Sequence, residues 1–281
     1  MRLALCNEVL APMAFEDQCV FAAALGYDGL ELAPYTLADT PQAIDTARRA
    51  AIRRAARDAG IAVSGLHWLL ARPDGLSITS SDAAVRARTL EHMHRLIDLC
   101  AELGGSVLVH GSPAQRRISD DADPASARQR GIDAWAAVAD HARDAGVVYC
   151  IEALAPPHAD FVVTMAEAVE IVRTIDRPAL RTMLDCSAAA RGESDAVATL
   201  LARWLPSGLL AHVQVNDGNL QGPGQGAQRF ADTLRVLQQH RYAGWVAVEP
   251  FIYQPDGPAC AARAIGYLRG LLEALEPAHG G

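Results

Sequence analysis

Short apolar runs alternate with longer amphipathic stretches along the whole chain. Eight of the apolar runs predict β-strands, at residues 3–6, 29–32, 62–66, 106–109, 147–151, 181–184, 210–215 and 245–248. Stretches rich in Ala, Leu and Arg between them predict helices, among others at residues 41–59, 83–102, 124–145, 165–175 and 228–240. Because strands that alternate with helices are typical of βαβ units, the pattern predicts a parallel sheet covered by helices.

Glycines mark the ends of several predicted helices. Gly60, Gly104 and Gly146 each stand between a helical stretch and the next apolar run, where a left-handed cap residue commonly ends a helix. No linker or change of composition interrupts the eight repeats, so we expect one closed (β/α)8 TIM barrel in a single domain, residues 1–281. The alternative is a doubly wound sheet, but residues 7–12 lack the glycine-rich phosphate turn typical of that fold.

Composition excludes several classes of function. All 25 Lys+Arg residues are arginine, which excludes Schiff-base aldolases, pyridoxal-phosphate enzymes and P-loop nucleotidases, because each needs a lysine amine. The net charge of −8 argues against nucleic acid and against an anionic membrane surface as partners. We therefore expect a small-molecule substrate, a sugar or a keto acid, and leave homo-oligomerisation open.

The cysteines and the apolar runs indicate a compartment. The six cysteines are scattered without a CxxC pair, which is typical of reduced thiols rather than of a disulfide framework or a zinc ribbon. No apolar run reaches the ~18 residues of a membrane helix, and Glu8 interrupts the start of the chain too early for a signal peptide. We expect a cytoplasmic protein.

Polar residues stand at the carboxyl ends of the predicted strands, where a barrel gathers its active site. They are Asn7, Glu8, Glu31, His67, Trp68, His110, Glu152, Asp185, His212, Gln214 and Glu249. Glu152, Asp185, Gln214 and Glu249 follow consecutive strands, and three carboxylates in one barrel mouth repel one another unless a cation neutralises them. Carboxylate and amide oxygens favour Mg²⁺ or Mn²⁺ over Zn²⁺. The sequence thus predicts a divalent metal site.

The segments around these residues resemble the sugar phosphate isomerase/epimerase family, the xylose-isomerase-like barrels. The resemblance rests on residues 148–153, 183–185, 212–217, 222–226 and 242–249, together with residues 26–31, 65–68 and 110–113. Members of this kind include ketose 3-epimerases, an inosose isomerase and hydroxypyruvate isomerases, which hold one Mn²⁺, Mg²⁺ or Co²⁺ with two Glu, one Asp and a His or Gln. The resemblance implies the same four ligand positions here.

Two departures from the ketose 3-epimerase pattern affect the expected substrate. The strand-seven ligand aligns with Gln214, as in the hydroxypyruvate isomerase group, whereas His212 as the ligand with Gln214 in support is the alternative. Ala188 replaces a histidine that touches substrate in ketose epimerases, and residues 218–221 lack an arginine that those enzymes use. Both replacements weaken the assignment to ketohexose 3-epimerases.

The predicted chemistry is proton transfer beside a carbonyl. Glu152 and Glu249 are expected to be the acid/base pair, one removing the α-proton and the other returning it. His67, Trp68, His110, His158 and His212 are the expected substrate contacts. The chain without lysine favours an unphosphorylated or weakly anionic substrate, with the pair Arg116 and Arg117 as the main exception. Reprotonation of the same carbon gives epimerisation, and reprotonation of its neighbour gives isomerisation.

Three other functions compete with an isomerase. A lyase on the same scaffold shares the first deprotonation and differs in the fate of the carbanion, as in elimination from a 3-keto sugar or dehydration of a dehydroshikimate-type acid. An apurinic-site endonuclease needs a multi-zinc cluster with more histidines and a surface that accepts DNA, which the net charge disfavours. A non-catalytic barrel would be indicated by a lost carboxylate ligand, and all of them are present.

Overall fold

Eight parallel strands close into a barrel in chain order in the computed structural model, which describes residues 1–118 and 123–276. The strands are β1 (Arg2–Cys6), β2 (Gly29–Leu32), β3 (Ala62–Leu66), β4 (Val107–His110), β5 (Val148–Glu152), β6 (Leu180–Asp185), β7 (Leu210–Val215) and β8 (Trp245–Val248). β8 pairs with β1 and completes the ring. The predicted (β/α)8 TIM barrel is confirmed.

Four strands have the predicted bounds, and the other four differ at their ends by one residue. The shifts matter because they make His110, Glu152 and Asp185 the last residues of their strands. Successive side chains in a strand point to opposite faces of the sheet, so membership of the strand determines which face each of these three side chains points to.

Helices cover the outside of the barrel. Their bounds are α1 (Phe15–Leu25), α2 (Thr46–Asp58), α3 (Ala83–Leu103), α4 (Pro124–Asp144), α5 (Met165–Ile175), α6 (Cys186–Gly192), α7 (Val197–Trp204), α8 (Phe230–Gln239) and α9 (Gly257–Leu275). The helix predicted at 41–59 begins later, since Pro41–Ala43 forms a separate 3₁₀ turn and the side chain of Asp45 caps α2 by accepting a hydrogen bond from Arg48 N. Capping by an aspartate fixes the start of a helix.

The barrel interior has two levels. Val107, Val109, Cys150 and Met183 pack together at the lower level. Glu152 and Asp185 lie two residues beyond Cys150 and Met183 on the same strands, so they belong to the same inward face and stand above this apolar floor. The floor therefore supports a layer of charged side chains at the carboxyl ends of the strands.

A close approach of β3 and β4 depends on glycine. A Cβ atom on Gly65 would lie 2.0 Å from the carbonyl oxygen of Val107, which is far inside van der Waals contact. Any larger residue would push the two strands apart.

Other expectations concern the cysteines, the domain and the membrane. All six cysteines are buried and free. Within residues 1–118 and 123–276, no helix combines the length and the hydropathy needed to cross a bilayer. The single-domain assignment stays a prediction, and residues 119–122 and 277–281 of its range lie outside the described residues.

Candidate active site

A cavity of about 240 Å³ opens at the carboxyl ends of the strands. Its lining consists of His67, Trp68, Val109, Gly111, Ser112, Pro113, Glu152, Leu154, His158, Arg191, Leu220, Glu249 and Phe251. The structure thus brings both predicted acid/base glutamates together with three of the expected substrate contacts, His67, Trp68 and His158. Asp185 and Gln214 stand beside this cavity without lining it.

Three carboxylates at the mouth share one electrostatic environment. Glu152, Asp185 and Glu249 are all buried. Burial, and next the negative charges of Asp185 and Glu249, raise the pKa of Glu152 well above its ordinary value. Burial also raises the pKa of Glu249 to about 8 against the hydrogen bond from His67, and it raises the pKa of Asp185. For Glu152 and Glu249, desolvation and like charge act in the same direction and outweigh the groups that favour the ionised forms.

Asp185 is held by the start of α6. Its Oδ1 accepts hydrogen bonds from Ala188 N at 2.7 Å and from Ser187 Oγ at 2.9 Å, which makes it the N-cap of the helix. Its Oδ2 accepts a bond of 2.7 Å from Asn216 Nδ2, and the same nitrogen donates to the carbonyl oxygen of Glu249 at 2.9 Å. Asn216 therefore ties the ends of β6 and β8 together.

Gln214 is oriented by a carboxylate below the mouth. Its Nε2 donates to Glu31 Oε1 at 2.7 Å, whereas its Oε1 is buried without a hydrogen-bond partner. Although burial opposes it, the nearby charge and contacts of His212 and the bond from Gln214 lower the pKa of Glu31. An ionised carboxylate only accepts hydrogen bonds, so it selects the amide nitrogen of Gln214 and leaves Oε1 free.

His212 supports this arrangement from within the barrel. Its Nε2 lies 2.8 Å from Glu31 Oε2, although the two groups are not aligned as a hydrogen bond. Its side chain is fully buried and does not reach the cavity. The structure thus places His212 away from the predicted substrate contacts, because it lies two residues deeper on β7 than Gln214.

His67 joins the loops after β1 and β8. Its Nδ1 lies 2.9 Å from Glu249 Oε1, and its Nε2 lies 3.0 Å from Glu8 Oε2. Burial alone would lower the pKa of His67, but Cys6, Glu8 and Glu249 around the ring raise it well above its ordinary value. Both ring nitrogens therefore act as donors, and the imidazolium bridges two carboxylates.

These side chains also satisfy a simple distance criterion for a metal group. One ligand atom from each of Cys6, Glu8, His67 and Glu249 lies within 4.8 Å of the others. Of the predicted ligands this group contains Glu249 alone. Because both nitrogens of His67 are engaged by carboxylates, no ring lone pair is left for a cation, and the hydrogen bonds account for the cluster.

His110 faces the helices instead of the cavity. The indole nitrogen of Trp135 on α4 donates to its Nδ1 at 3.1 Å, and the Tyr149 hydroxyl lies 2.9 Å from the same atom. Burial lowers the pKa of His110 to about 3, so the ring is neutral. Unlike the prediction, the structure therefore separates His110 from the substrate cavity, because Val109 takes the inward position on β4.

Two arginines near the mouth differ in accessibility. Arg116 is fully buried, and its Nη1 donates to the carbonyl oxygen of Glu152 at 2.6 Å. Arg116 does not line the cavity, so it is not placed to bind a substrate phosphate there, the role that would have been the exception to an unphosphorylated substrate. Arg191 on α6 is exposed and lines the cavity beside His158.

The chain belongs to the family described as xylose isomerase-like TIM barrel, which it matches over residues 19–271. A D-psicose 3-epimerase of Agrobacterium fabrum (strain C58) is 28% identical over 234 residues, covering 82% of this chain and 77% of that protein. The name of this relative agrees with the predicted enzyme class, because epimerases are isomerases.

Solved structures show the same fold. A D-psicose 3-epimerase determined in the presence of D-fructose superposes with a TM-score of 0.83 at 24% identity, covering 97% of this chain and 99% of that one. A 3-keto-D-glucoside 4-epimerase from E. coli gives a TM-score of 0.81 at 20% identity, covering 96% and 99%.

Several residues of the site were not assigned roles from the sequence. Glu31 and Glu8 were visible as polar strand ends, but their partners come from distant strands. Asn216 lies two residues after Gln214, directly beyond the end of β7, so continuing the alternation of the strand was a usable signal for it. Arg191 lies in the last turn of α6, a helix too short for its periodicity to be recognised in the sequence.

Proposed function

We propose that this protein is a divalent-metal-dependent epimerase or isomerase of a sugar or hydroxy-keto acid, with Glu152 and Glu249 as its acid/base pair. The observation that carries the proposal is the pairing of these two buried glutamates in one cavity, beside a third buried carboxylate and an amide oxygen without a partner. The relationship to sugar epimerases supports the same class of reaction.

The residues at the mouth fit a cation. The free Oε1 of Gln214 is a buried acceptor, and an unpaired buried acceptor costs ~1–3 kcal/mol. Burial raises the pKa values of Glu152, Asp185 and Glu249, and neighbouring negative charges raise those of Glu152 and Glu249 further; a positive ion opposes both effects. We assign these four residues as the ligands, and their oxygen donors favour Mg²⁺ or Mn²⁺, with Co²⁺ as a further candidate.

A bound divalent cation would polarise a substrate carbonyl and so acidify the neighbouring C–H bond. Glu249 is suited to accept that proton, because His67 donates to its Oε1 and leaves Oε2 available. Glu152 ends β5, three strands away from β8 around the ring, so the two carboxylates enter the cavity from different sides. This placement lets one side chain take a proton from one face and the other return it on the opposite face.

The test is solvent deuterium incorporation at the α-carbon of a panel of ketoses and keto acids, followed by NMR. Replacement of Glu249 by Gln keeps the shape and an oxygen ligand, so exchange should fall by ~10²-fold or more while metal remains bound. Glu152→Gln should behave alike. Glu91→Gln on the outer face of α3 is the matched control, since that carboxylate is exposed and pairs with Arg95. Metal content is measured in every variant.

Near-normal exchange in either cavity variant with metal bound would leave that glutamate as a ligand only. An NMR product that has lost water or a leaving group would contradict isomerase chemistry altogether.

A further inference from the structure

The lining of the cavity contains a positively charged side chain, Arg191, in addition to the two glutamates. Arg191 lies in the last turn of α6, and its side chain lines the cavity. Its Nε donates to the carbonyl oxygen of Ser187 at 3.1 Å, one turn earlier in the same helix. Because Asp185 caps that helix, the proposed metal ligand and the guanidinium are held on one short rigid element.

The hydrogen-bond partners of Arg191 carry no negative charge, and the nearby carboxylate that feels its charge is Asp185. Besides the carbonyl of Ser187, its Nη1 contacts His158 Nε2 at 3.2 Å. An arginine nitrogen only donates, so His158 Nε2 is the acceptor in this contact. The guanidinium therefore keeps its positive charge and the N–H groups that these two contacts do not use.

Arg191 shares the cavity lining with several apolar side chains. They include Trp68, Leu154, Leu220 and Phe251. Trp68 and Phe251 pack edge to face with ring centroids 6.4 Å apart. A guanidinium with unused donors on the cavity wall attracts an anionic group, because hydrogen bonds between ionised partners are stronger than those between neutral ones.

We propose that the substrate carries a carboxylate, and that Arg191 with His158 binds it while the glutamates act on the carbonyl end. The inference rests on the proposed function and specifies its substrate class as a keto or ketose acid. The planar guanidinium matches a carboxylate in geometry. Arg191 is then a specificity-determining residue.

Three ketohexoses that differ only at carbon 6 test the proposal: D-fructose, D-fructuronate and D-fructose 6-phosphate. For each, kcat and KM of α-proton exchange are measured with the Mn²⁺-loaded wild type and with Arg191→Gln, Arg191→Lys and Arg54→Gln. Arg54 is an exposed residue of α2 outside the cavity and serves as the matched control.

We expect D-fructuronate to have the lowest KM with wild type. Arg191→Gln should raise that KM about tenfold or more, with a smaller change in kcat and in the KM of D-fructose. Arg191→Lys should restore part of the affinity, and Arg54→Gln should match wild type. Equal effects of Arg191→Gln on all three sugars would overturn the proposal, as would a preference for the phosphate that Arg191→Gln removes.

A binding measurement separates this inference from the proposed reaction. Calorimetric titration of the metal-free protein with D-gluconate and with sorbitol compares a carboxylate with a hydroxymethyl group and needs no turnover. Tighter binding of D-gluconate that Arg191→Gln abolishes supports the anion site even where no ketose exchanges its proton. Equal binding of the two polyols by wild type contradicts it even where exchange occurs.

Discussion

Replacement of Glu31 by Gln should disorient the proposed metal ligand Gln214, although Glu31 itself is not a proposed ligand. In the native protein the ionised carboxylate of Glu31 accepts the amide N–H of Gln214 at 2.7 Å and thereby leaves the amide oxygen free. A glutamine at position 31 can donate to that oxygen instead. The side chain of Gln214 can then turn its nitrogen toward the cation site, where it cannot act as a ligand.

The expected loss follows from replacing a hydrogen bond to a charged group by a neutral one that no longer fixes the orientation of Gln214. Both side chains are fully buried, so solvent screening does not reduce the interaction. A hydrogen bond to a charged group contributes ~1.5–3 kcal/mol, which corresponds to roughly a 10- to 150-fold change in an equilibrium constant. Residues behind metal ligands typically change affinity by ~10- to 100-fold. We therefore expect the Kd for Mn²⁺ to rise about 10- to 100-fold.

Isothermal titration of the apoprotein with Mn²⁺ measures this Kd for wild type, Glu31→Gln and the control Glu102→Gln. Glu102 is an exposed partner of Arg49 at the end of α3, so its replacement should leave the Kd unchanged. Chemical unfolding of each apoprotein shows whether the fold is intact. An unchanged Kd in a folded Glu31→Gln protein would refute the orientation of Gln214 by Glu31.

Two further predictions concern neighbours of the site. Gly111→Ala should reduce α-proton exchange and Mn²⁺ affinity, because a Cβ there would lie 1.8 Å from Glu152 Oε2. The control Gly266→Ala on α9 places a Cβ with nothing within 4 Å and should retain both properties. Equal activity of the two variants would contradict the close contact. The pKa of His110 is about 3 in the folded protein, below its ordinary value of 6.5, so the unfolded chain binds the proton first. The free energy of unfolding should therefore fall by up to ~1.4 kcal/mol per pH unit as the pH drops from about 6.5 toward 3. His110→Asn should flatten this slope in denaturant titrations, the exposed control His240→Asn should keep it, and an unaltered slope in His110→Asn would rule out this contribution.

The strands were predictable because each is a short apolar run between glycine-capped helices. The sequence pattern could not predict whether the last side chain of each strand points into the barrel or out toward the helices. His110 shows this: Val109 lines the cavity, so the next residue on β4, His110, points outward to Trp135. Side-chain direction alternates with every residue, so an error of one residue reverses it.

The partners of the site residues could not be predicted for a related reason. Glu31 on β2 meets Gln214 on β7, and this contact across the barrel depends on strand tilt and stagger, which no local pattern records. Arg191 was missed because its helix has seven residues, too few for a periodic signal. The carboxylates themselves were predictable, since residue type and position at a strand end require no knowledge of the partner.

The apolar floor beneath the glutamates has a consequence for the route of protons. Val109 belongs both to this floor and to the cavity wall, so the packed side chains below close the site on that side. Water reaches Glu152 and Glu249 through the opening that the substrate also uses. A substrate that fills the opening delays exchange of the abstracted proton with bulk water, and the same hydrogen can return to carbon before it is lost. That return regenerates the substrate, whereas the product receives its hydrogen from the other glutamate. Isotope uptake into recovered substrate can then lag behind product formation, and the ratio of the two rates reports how tightly the bound molecule seals the barrel.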